Sequence, residues 1–434
     1  MVPAAPGEIG HEFEALATAT HVASRFRYTP AVKLRQAVNV SAVLIACLSC
    51  RERGREKAVS AAFDAKLSSL SREVSKSYAD IAFAAYADAA NEAKKLLAAA
   101  DDFTAAPSAE RLAVAKAAWI AARKPYLQTE VFRFYDGPID KVETRINTWP
   151  IDEGYVEAGI AGKTPGIIED TTKYPALTAE LLAALNAKDG ETSISTGYHV
   201  IEYLLWGRDS RADGPGDRPY TDYVAEKGDS TLAQRRGTYL HVACELLLRD
   251  LEQVVDEWDP ARAGNYRERF LRLAPKEALA VIVKGMGSLS GPELSGERLT
   301  VPYETKDQEN EHSCFSDTTS SDIAFDALGI ENVGMGRYTR VDGRTVNGIG
   351  LVSLVSERDA SLGQRLKAEL ARSVASARSI PTPFDRAIVG ADGTPGRTAI
   401  WSTIQALQHQ TETLAEVAAA FDLRVTLAAP RVKR

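Results

Sequence analysis

His199 and Glu202 stand three residues apart inside the otherwise apolar run Ser195-Thr-Gly-Tyr-His-Val-Ile-Glu-Tyr-Leu-Leu-Trp-Gly207. On a helix, residues i and i+3 share a face, so an imidazole nitrogen and a carboxylate can converge on one cation while Val200, Ile201, Leu204 and Leu205 pack away from it. Di-iron carboxylate bundles use the same residue types in the order Glu-x-x-His. Two side chains leave most of a metal's coordination sphere to water, so a working pair needs further hard or borderline ligands. Glu130, Asp136, and Asp152 with Glu153 are the first-half candidates, although Asp136 and Asp152, beside Gly137-Pro138 and Pro150, read better as cap or turn residues. Downstream, Asp307-Gln-Glu-Asn-Glu-His-Ser-Cys-Phe-Ser-Asp317 is dense in acids. Glu311, His312 and Asp317 flank the apolar pair Cys314-Phe315, which would anchor a loop against a core, whereas Asp307 and Glu309 read as solvated. Asp322, with Thr318 and Ser321, reads as the cap of the next turn.

The run Gly197-Tyr-His-Val-Ile-Glu-Tyr-Leu-Leu-Trp-Gly207 resembles the Gly-x-His-x-x-Glu signature of the imelysin family, also called the insulin-cleaving membrane protease or M75 peptidase family. Asp307–Asp317 is similar to that family's second signature. Trp119-Ile-Ala-Ala-Arg-Lys-Pro-Tyr-Leu-Gln-Thr-Glu130, Phe132-Arg-Phe-Tyr-Asp-Gly-Pro-Ile-Asp140 and Trp149-Pro-Ile-Asp-Glu153 resemble its first-half pattern, so the resemblance runs from about Tyr78 to about Leu423. It places an acid at Glu130 and implies a metal set of His199, Glu202, Glu130, Glu311, His312 and Asp317. It also implies a metallopeptidase, a reading the residues do not complete. Zinc peptidases of the His-Glu-x-x-His type supply two histidines one turn apart, and the inverted His-x-x-Glu-His form puts the second histidine directly after the glutamate, where this chain has Tyr203. With His312 as the other motif histidine, a hydrolytic zinc site would still need another ligand and a separate base.

A carboxylate-rich, histidine-poor set suits iron better than structural zinc, because oxygen donors favour hard ions. The resemblance extends to iron-regulated envelope proteins and to the periplasmic component of an iron-uptake system. The leading reading is therefore a lipid-anchored envelope protein that binds iron, with zinc or another divalent metal as the alternative, and that serves uptake alongside a transport or envelope partner. An M75-type metallopeptidase is the second reading, and a module that binds an extracellular polymer or partner is the third.

The 434 residues, 45% apolar and 26% charged, are those of a globular protein with ample core. A net charge of -7 excludes the basic stripe of a nucleic-acid binder. It also disfavours attachment to anionic lipid through surface charge. Attachment is expected instead from the amino end, where Lys33-Leu-Arg35 precedes the apolar stretch Ala37–Ala46, too short to span a bilayer. That stretch ends in Leu44-Ile-Ala-Cys47, which resembles a bacterial lipobox with Cys47 as the lipidated first residue of the mature chain; Cys50 is a less favoured alternative. Residues 1–46 then comprise an upstream extension, with Val32 the expected initiator, and a lipoprotein signal peptide. The expected address is the bacterial cell envelope, on the periplasmic side of the outer membrane. In that oxidising compartment Cys244 and Cys314 would either pair or stay as buried thiols.

Apolar residues at helical spacing, such as Leu112, Ala115, Trp119 and Ala122, dominate the chain and predict an all-α fold. Helices are expected at 56–100, 109–123, 176–187, 196–206, 232–257, 275–284, 359–375 and 397–421. The polar run Arg208–Tyr220, rich in Gly and Pro, divides the expectation into a tether at 47–55, a first helical half at 56–207, a linker at 208–219, a second half at 220–425 and a tail at 426–434. Residues 288–355, with little helical periodicity, are expected to be ordered loops with short β pairs inside the second half.

Overall fold

The computed structural model describes residues 37–158, 164–211, 214–225 and 230–427, with side chains from residue 64 onward. The expected upstream extension and the basic part of the signal peptide lie outside the described residues. Cys47 is described by its backbone alone, within helix α1 (Ala37–Ala105). No helix of the described residues is long and apolar enough to cross a membrane. Residues Phe63–Arg434 form one compact unit, which carries the apolar core and all six residues of the expected metal set.

The longer helices after α1 are α2 (Ala109–Leu127), α3 (Tyr198–Trp206), α4 (Ser230–Trp258), α5 (Pro275–Ser288), α6 (Thr319–Met335), α7 (Ala360–Arg378) and α8 (Pro395–Ala420). The fold is all-α. Along α1 the buried residues Val74, Tyr78, Ile81, Ala85, Ala89, Ala93 and Leu96 recur every three or four positions, the stripe an amphipathic helix turns inward. Ser108 starts α2 by accepting a hydrogen bond from the Arg111 amide at 3.3 Å. Helix α7 packs between α6 and α8, and α2 lies against both α3 and α6. One apolar cluster extends from Leu67 to Phe421.

Helix α3 differs from the others because all nine of its residues are buried. A helix apolar around its whole circumference has no solvent face to offer and must be central. Glycines bound it at both ends. Gly197 has φ +92°, and a Cβ there would lie 2.5 Å from the Ile146 carbonyl oxygen; Gly207 closes the other end with φ +74°. The Tyr223 hydroxyl donates to the Leu204 carbonyl at 2.7 Å, satisfying one of the carbonyls that a helix end exposes.

The segment 288–355 is more helical than its periodicity predicts. It contains a π-helix at Leu289–Thr300, a short helix at Val301–Thr305, all of α6 and a helix at Leu351–Arg358, beside one antiparallel pair, β1 (Arg337–Thr339) with β2 (Thr345–Asn347). Glycine is the reason α6 is hard to read. A Cβ at Gly329 would stand 2.6 Å from the Gln128 carbonyl oxygen and one at Gly334 would stand 2.4 Å from Leu370. These weak helix formers are required where α6 touches α2 and α7, so close packing outweighs their propensity.

Candidate functional site

Two carboxyl–imidazole pairs lie side by side at the centre. On α3, His199 Nδ1 is 2.9 Å from Glu202 Oε2. From the loop before α6, His312 Nδ1 is 2.9 Å from Asp322 Oδ2. The two rings are 4.8 Å apart at 64°. Asp322 is therefore more than a helix cap: the same oxygen accepts from the Ser313 hydroxyl at 2.6 Å and from the Arg123 guanidinium at 2.7 Å. Arg123 rises from α2 four residues after Trp119, whose indole donates to the Tyr198 carbonyl at 2.9 Å and so fixes the start of α3.

The hydrogen-bond network assigns the protons. Asn147 Nδ2 stands 3.4 Å from His312 Nε2, which leaves Nδ1 to carry the hydrogen donated to Asp322. Glu202 Oε1 accepts from the amide and the hydroxyl of Ser316, at 2.9 and 2.7 Å. Burial pushes the Glu202 carboxyl up to about 8, with the Ser316 bonds offsetting part of the rise. Below that pH its proton sits on Oε2 and is donated to His199 Nδ1, so His199 carries its own hydrogen on Nε2. That atom is buried and has no hydrogen-bond partner. Burial, and then the nearby His312 and Arg123, hold His199 well below the usual histidine range; burial with Arg298 and Arg123 does the same for His312.

Glu130 joins the assembly through Asn147, whose amide reaches it at 3.3 Å. Its oxygens also accept from Tyr126 at 3.0 Å, from Arg133 at 3.0 Å and from Arg298. Burial opposes its charge, but Arg133 and Arg298 outweigh burial and hold the carboxyl well below the ordinary range. Arg298, on the π-helix, also donates to Asp326 at 2.9 Å and Glu293 at 2.7 Å. A cleft of about 380 Å³ leads to this layer, and Arg133, Glu143, Trp149, Glu293, Arg298 and His312 line it. Two buried donors beside it, Arg133 Nε and Trp149 Nε1, have no acceptor.

Of the six metal-site residues predicted from sequence, the fold brings His199, Glu202, His312 and Glu130 into one network. Glu311 and Asp317 lie elsewhere, facing Asp209 and Asp385. Glu311, on extended backbone, and His312, which opens the turn at residues 312–317, are chain neighbours with different surroundings. Arg123, Arg298, Asn147 and Ser316 are site residues that sequence reasoning missed. Arg123 carries a signal, a charged residue on the stripe of Trp119, Ala122 and Tyr126; Arg298 and Ser316 carry none. Cys244 and Cys314 are unpaired thiols.

Among the described residues, no three His, Cys, Asp or Glu side chains are arranged to hold a metal ion. Ligation would need deprotonated donors with free lone pairs; in the metal-free layer burial pushes Glu202 up to about 8, and Glu130 accepts from Arg133 and Arg298, so a metal would have to displace a proton and an arginine contact. Arg133 Nε and Trp149 Nε1 line the polar cleft as buried donors without an acceptor.

The family model described as Imelysin, peptidase M75, matches residues 82–414. Iron-regulated protein A of Synechococcus elongatus is 24% identical over 339 residues, covering 75% of this chain and 81% of that protein. A crystal structure assigned as an iron-regulated protein A precursor of Parabacteroides distasonis has a TM-score of 0.63 and 19% identity, over 82% of this chain and 95% of the other. An imelysin-like protein of Psychrobacter arcticum 273-4 has a TM-score of 0.57 and 16% identity, over 82% and 98%. The last two likenesses speak for the fold.

Proposed function

Because the chain belongs to the imelysin family, we propose that it is a cell-envelope binding protein serving iron supply, which takes iron as cargo in an oxygen-ligated complex at the cleft above His312. The observation that carries this reading is the pair of unmatched buried donors that line that cleft, Trp149 Nε1 and Arg133 Nε. An unpaired buried donor costs about 1–3 kcal/mol, so a ligand rich in acceptor oxygens is favoured there. Hydroxycarboxylate chelates of Fe(III) present such oxygens, and a cleft of about 380 Å³ suits a ligand of that size. The iron-regulated relatives support the cargo. Acylation of Cys47 would hold the protein on the periplasmic face of the outer membrane.

Peptidase chemistry is the weaker reading, because a protonated Glu202 cannot act as a general base at neutral pH and His312, the histidine beside the pair, is bonded to Asp322. Titration calorimetry with Fe(III)-citrate, citrate alone and ZnCl2, beside a cleavage assay on unfolded protein, separates the readings. Saturable binding of Fe(III)-citrate without proteolysis is the expected result. Chelator-sensitive cleavage would overturn it.

A further inference from the structure

Two arginines line the cleft above His312, and neither has positive charge to spare. Arg133 gives its terminal nitrogens to Glu130 at 3.0 Å and to Glu143 at 3.1 Å, which leaves Nε without an acceptor. Arg298 commits every nitrogen: Nη1 donates to Asp326 at 2.9 Å, Nη2 to Glu130 and to Glu293 at 2.7 Å, and Nε to Glu293 at 3.1 Å. Arg123, farther in, is matched by Asp322 at 2.7 Å. Glu297, one residue before Arg298, is a further acid of the lining; it is exposed and has no ion pair among the described residues. The lining therefore sets Glu143, Glu293 and Glu297 against Arg133 and Arg298, with Glu130 and Asp326 behind them. Even if Glu143 and Asp326 both carried a proton, which burial favours, Glu130, Glu293 and Glu297 would still outnumber the two arginines.

Such a cleft donates hydrogen bonds without offering net positive charge. Trp149 Nε1 and Arg133 Nε favour any acceptor oxygen that reaches them. A polyanion that reached them would also meet the repulsion of the surrounding carboxylates, among side chains that are mostly buried. We propose that the cleft selects its cargo by charge, taking an oxygen-ligated Fe(III) complex that is neutral or singly negative and rejecting polyanionic chelates of the same metal. Glu297 sets the selection, because Glu143 and Glu293 are held by arginines while its charge is unopposed. The inference rests on the cargo reading above and narrows it. A ferric ion with one citrate is neutral or singly negative, whereas the dicitrate complex formed in excess citrate carries at least three negative charges. The cleft suits the first. Its volume of about 380 Å³, at the small end for ligand pockets, favours the one-chelator complex as well. Discrimination by repulsion leaves the contacts to the accepted ligand intact.

Titration calorimetry of the full-length protein with Fe(III)-nitrilotriacetate, a one-chelator complex, and with Fe(III) in excess citrate tests the selection. The wild type should bind the one-chelator complex at least about tenfold tighter. Raising the salt concentration should narrow that gap by screening, with no substitution made. Glu297→Lys, at an exposed position, should narrow or invert it, because the unopposed charge changes sign. Equal or tighter binding of the dicitrate complex by the wild type, or a gap that neither salt nor Glu297→Lys moves, would overturn charge selection while leaving the cleft as a site for iron complexes. Binding of neither complex would overturn the cargo reading itself, and the selection with it.

Discussion

Ser316 and Glu202 are 114 residues apart in the chain, yet the Ser316 amide and hydroxyl both donate to one oxygen of Glu202, at 2.9 and 2.7 Å. That double contact commits Oε1, leaves Oε2 to His199, and joins the loop before α6 to the buried helix α3. The protonation of the central layer is set by it.

Glu202 has an ordinary pKa of 4.5 and holds its proton to about 8 in the folded chain. Between those values the folded state binds more protons than the unfolded one, so this group's stabilisation is complete below 4.5 and is lost as pH rises to about 8. His199 and His312, with lowered values, act in the opposite sense, and their effect is confined to pH below about 6.5. From about 6.5 to 8 the wild-type Tm should therefore fall, and Glu202→Gln should flatten that slope. Thermal melts across the window decide it; an unchanged slope would show that Glu202 is already ionised.

Removing Arg298 should be costly. Arg298→Met takes from buried Asp326 its arginine partner and leaves buried Glu130 with Arg133 as its cation. Breaking one side of a buried ion pair typically costs about 3–5 kcal/mol. Urea denaturation should report a loss of that order, and a loss under about 1 kcal/mol would mean that both acids are neutral without the arginine.

Gly329→Ala reverses a propensity rule. Alanine is the better helix former by about 1 kcal/mol, yet its Cβ would sit 2.6 Å from the Gln128 carbonyl oxygen. We expect destabilisation of about 1–3 kcal/mol from the displaced backbone. A gain in Tm would disprove the close contact between α2 and α6.

His312→Ala and His199→Ala separate cleft from layer. His312 lines the cleft, and its loss should weaken Fe(III)-citrate binding at least about tenfold. His199→Ala, which removes the ring packed 4.8 Å from His312 behind the cleft, should weaken binding less, with unchanged far-ultraviolet circular dichroism. Wild-type affinity in both folded variants would remove the cleft from the proposed function.

Cys47→Ser tests the anchor. Lipoprotein acylation supplies more than one chain, which is what stable membrane attachment requires. The variant should move from the membrane to the soluble fraction of a native host, and a wild-type protein with residues 1–46 still attached would refute the processing.

The amino-acid order alone determined the all-α class, most of the long helices and the character of α3. Nine residues with no polar face, bounded by Gly197 and Gly207, can form only a buried helix, and i, i+3 spacing brings His199 to Glu202 whatever surrounds them. Local geometry is written in local sequence. It could not decide what the pair would meet. His312 reaches His199 because its loop folds back over α3 through the Ser316–Glu202 contacts, while Glu311, one residue away, has other acids as neighbours. Arg123, Arg298 and Ser316 come from three distant segments, and they settle whether each acid is charged, protonated or already bound. Burial and neighbouring charge set those states, and both arise only when the chain is packed. The sequence therefore names the candidate ligands, while the tertiary structure decides which charges and hydrogen-bond partners surround each of them.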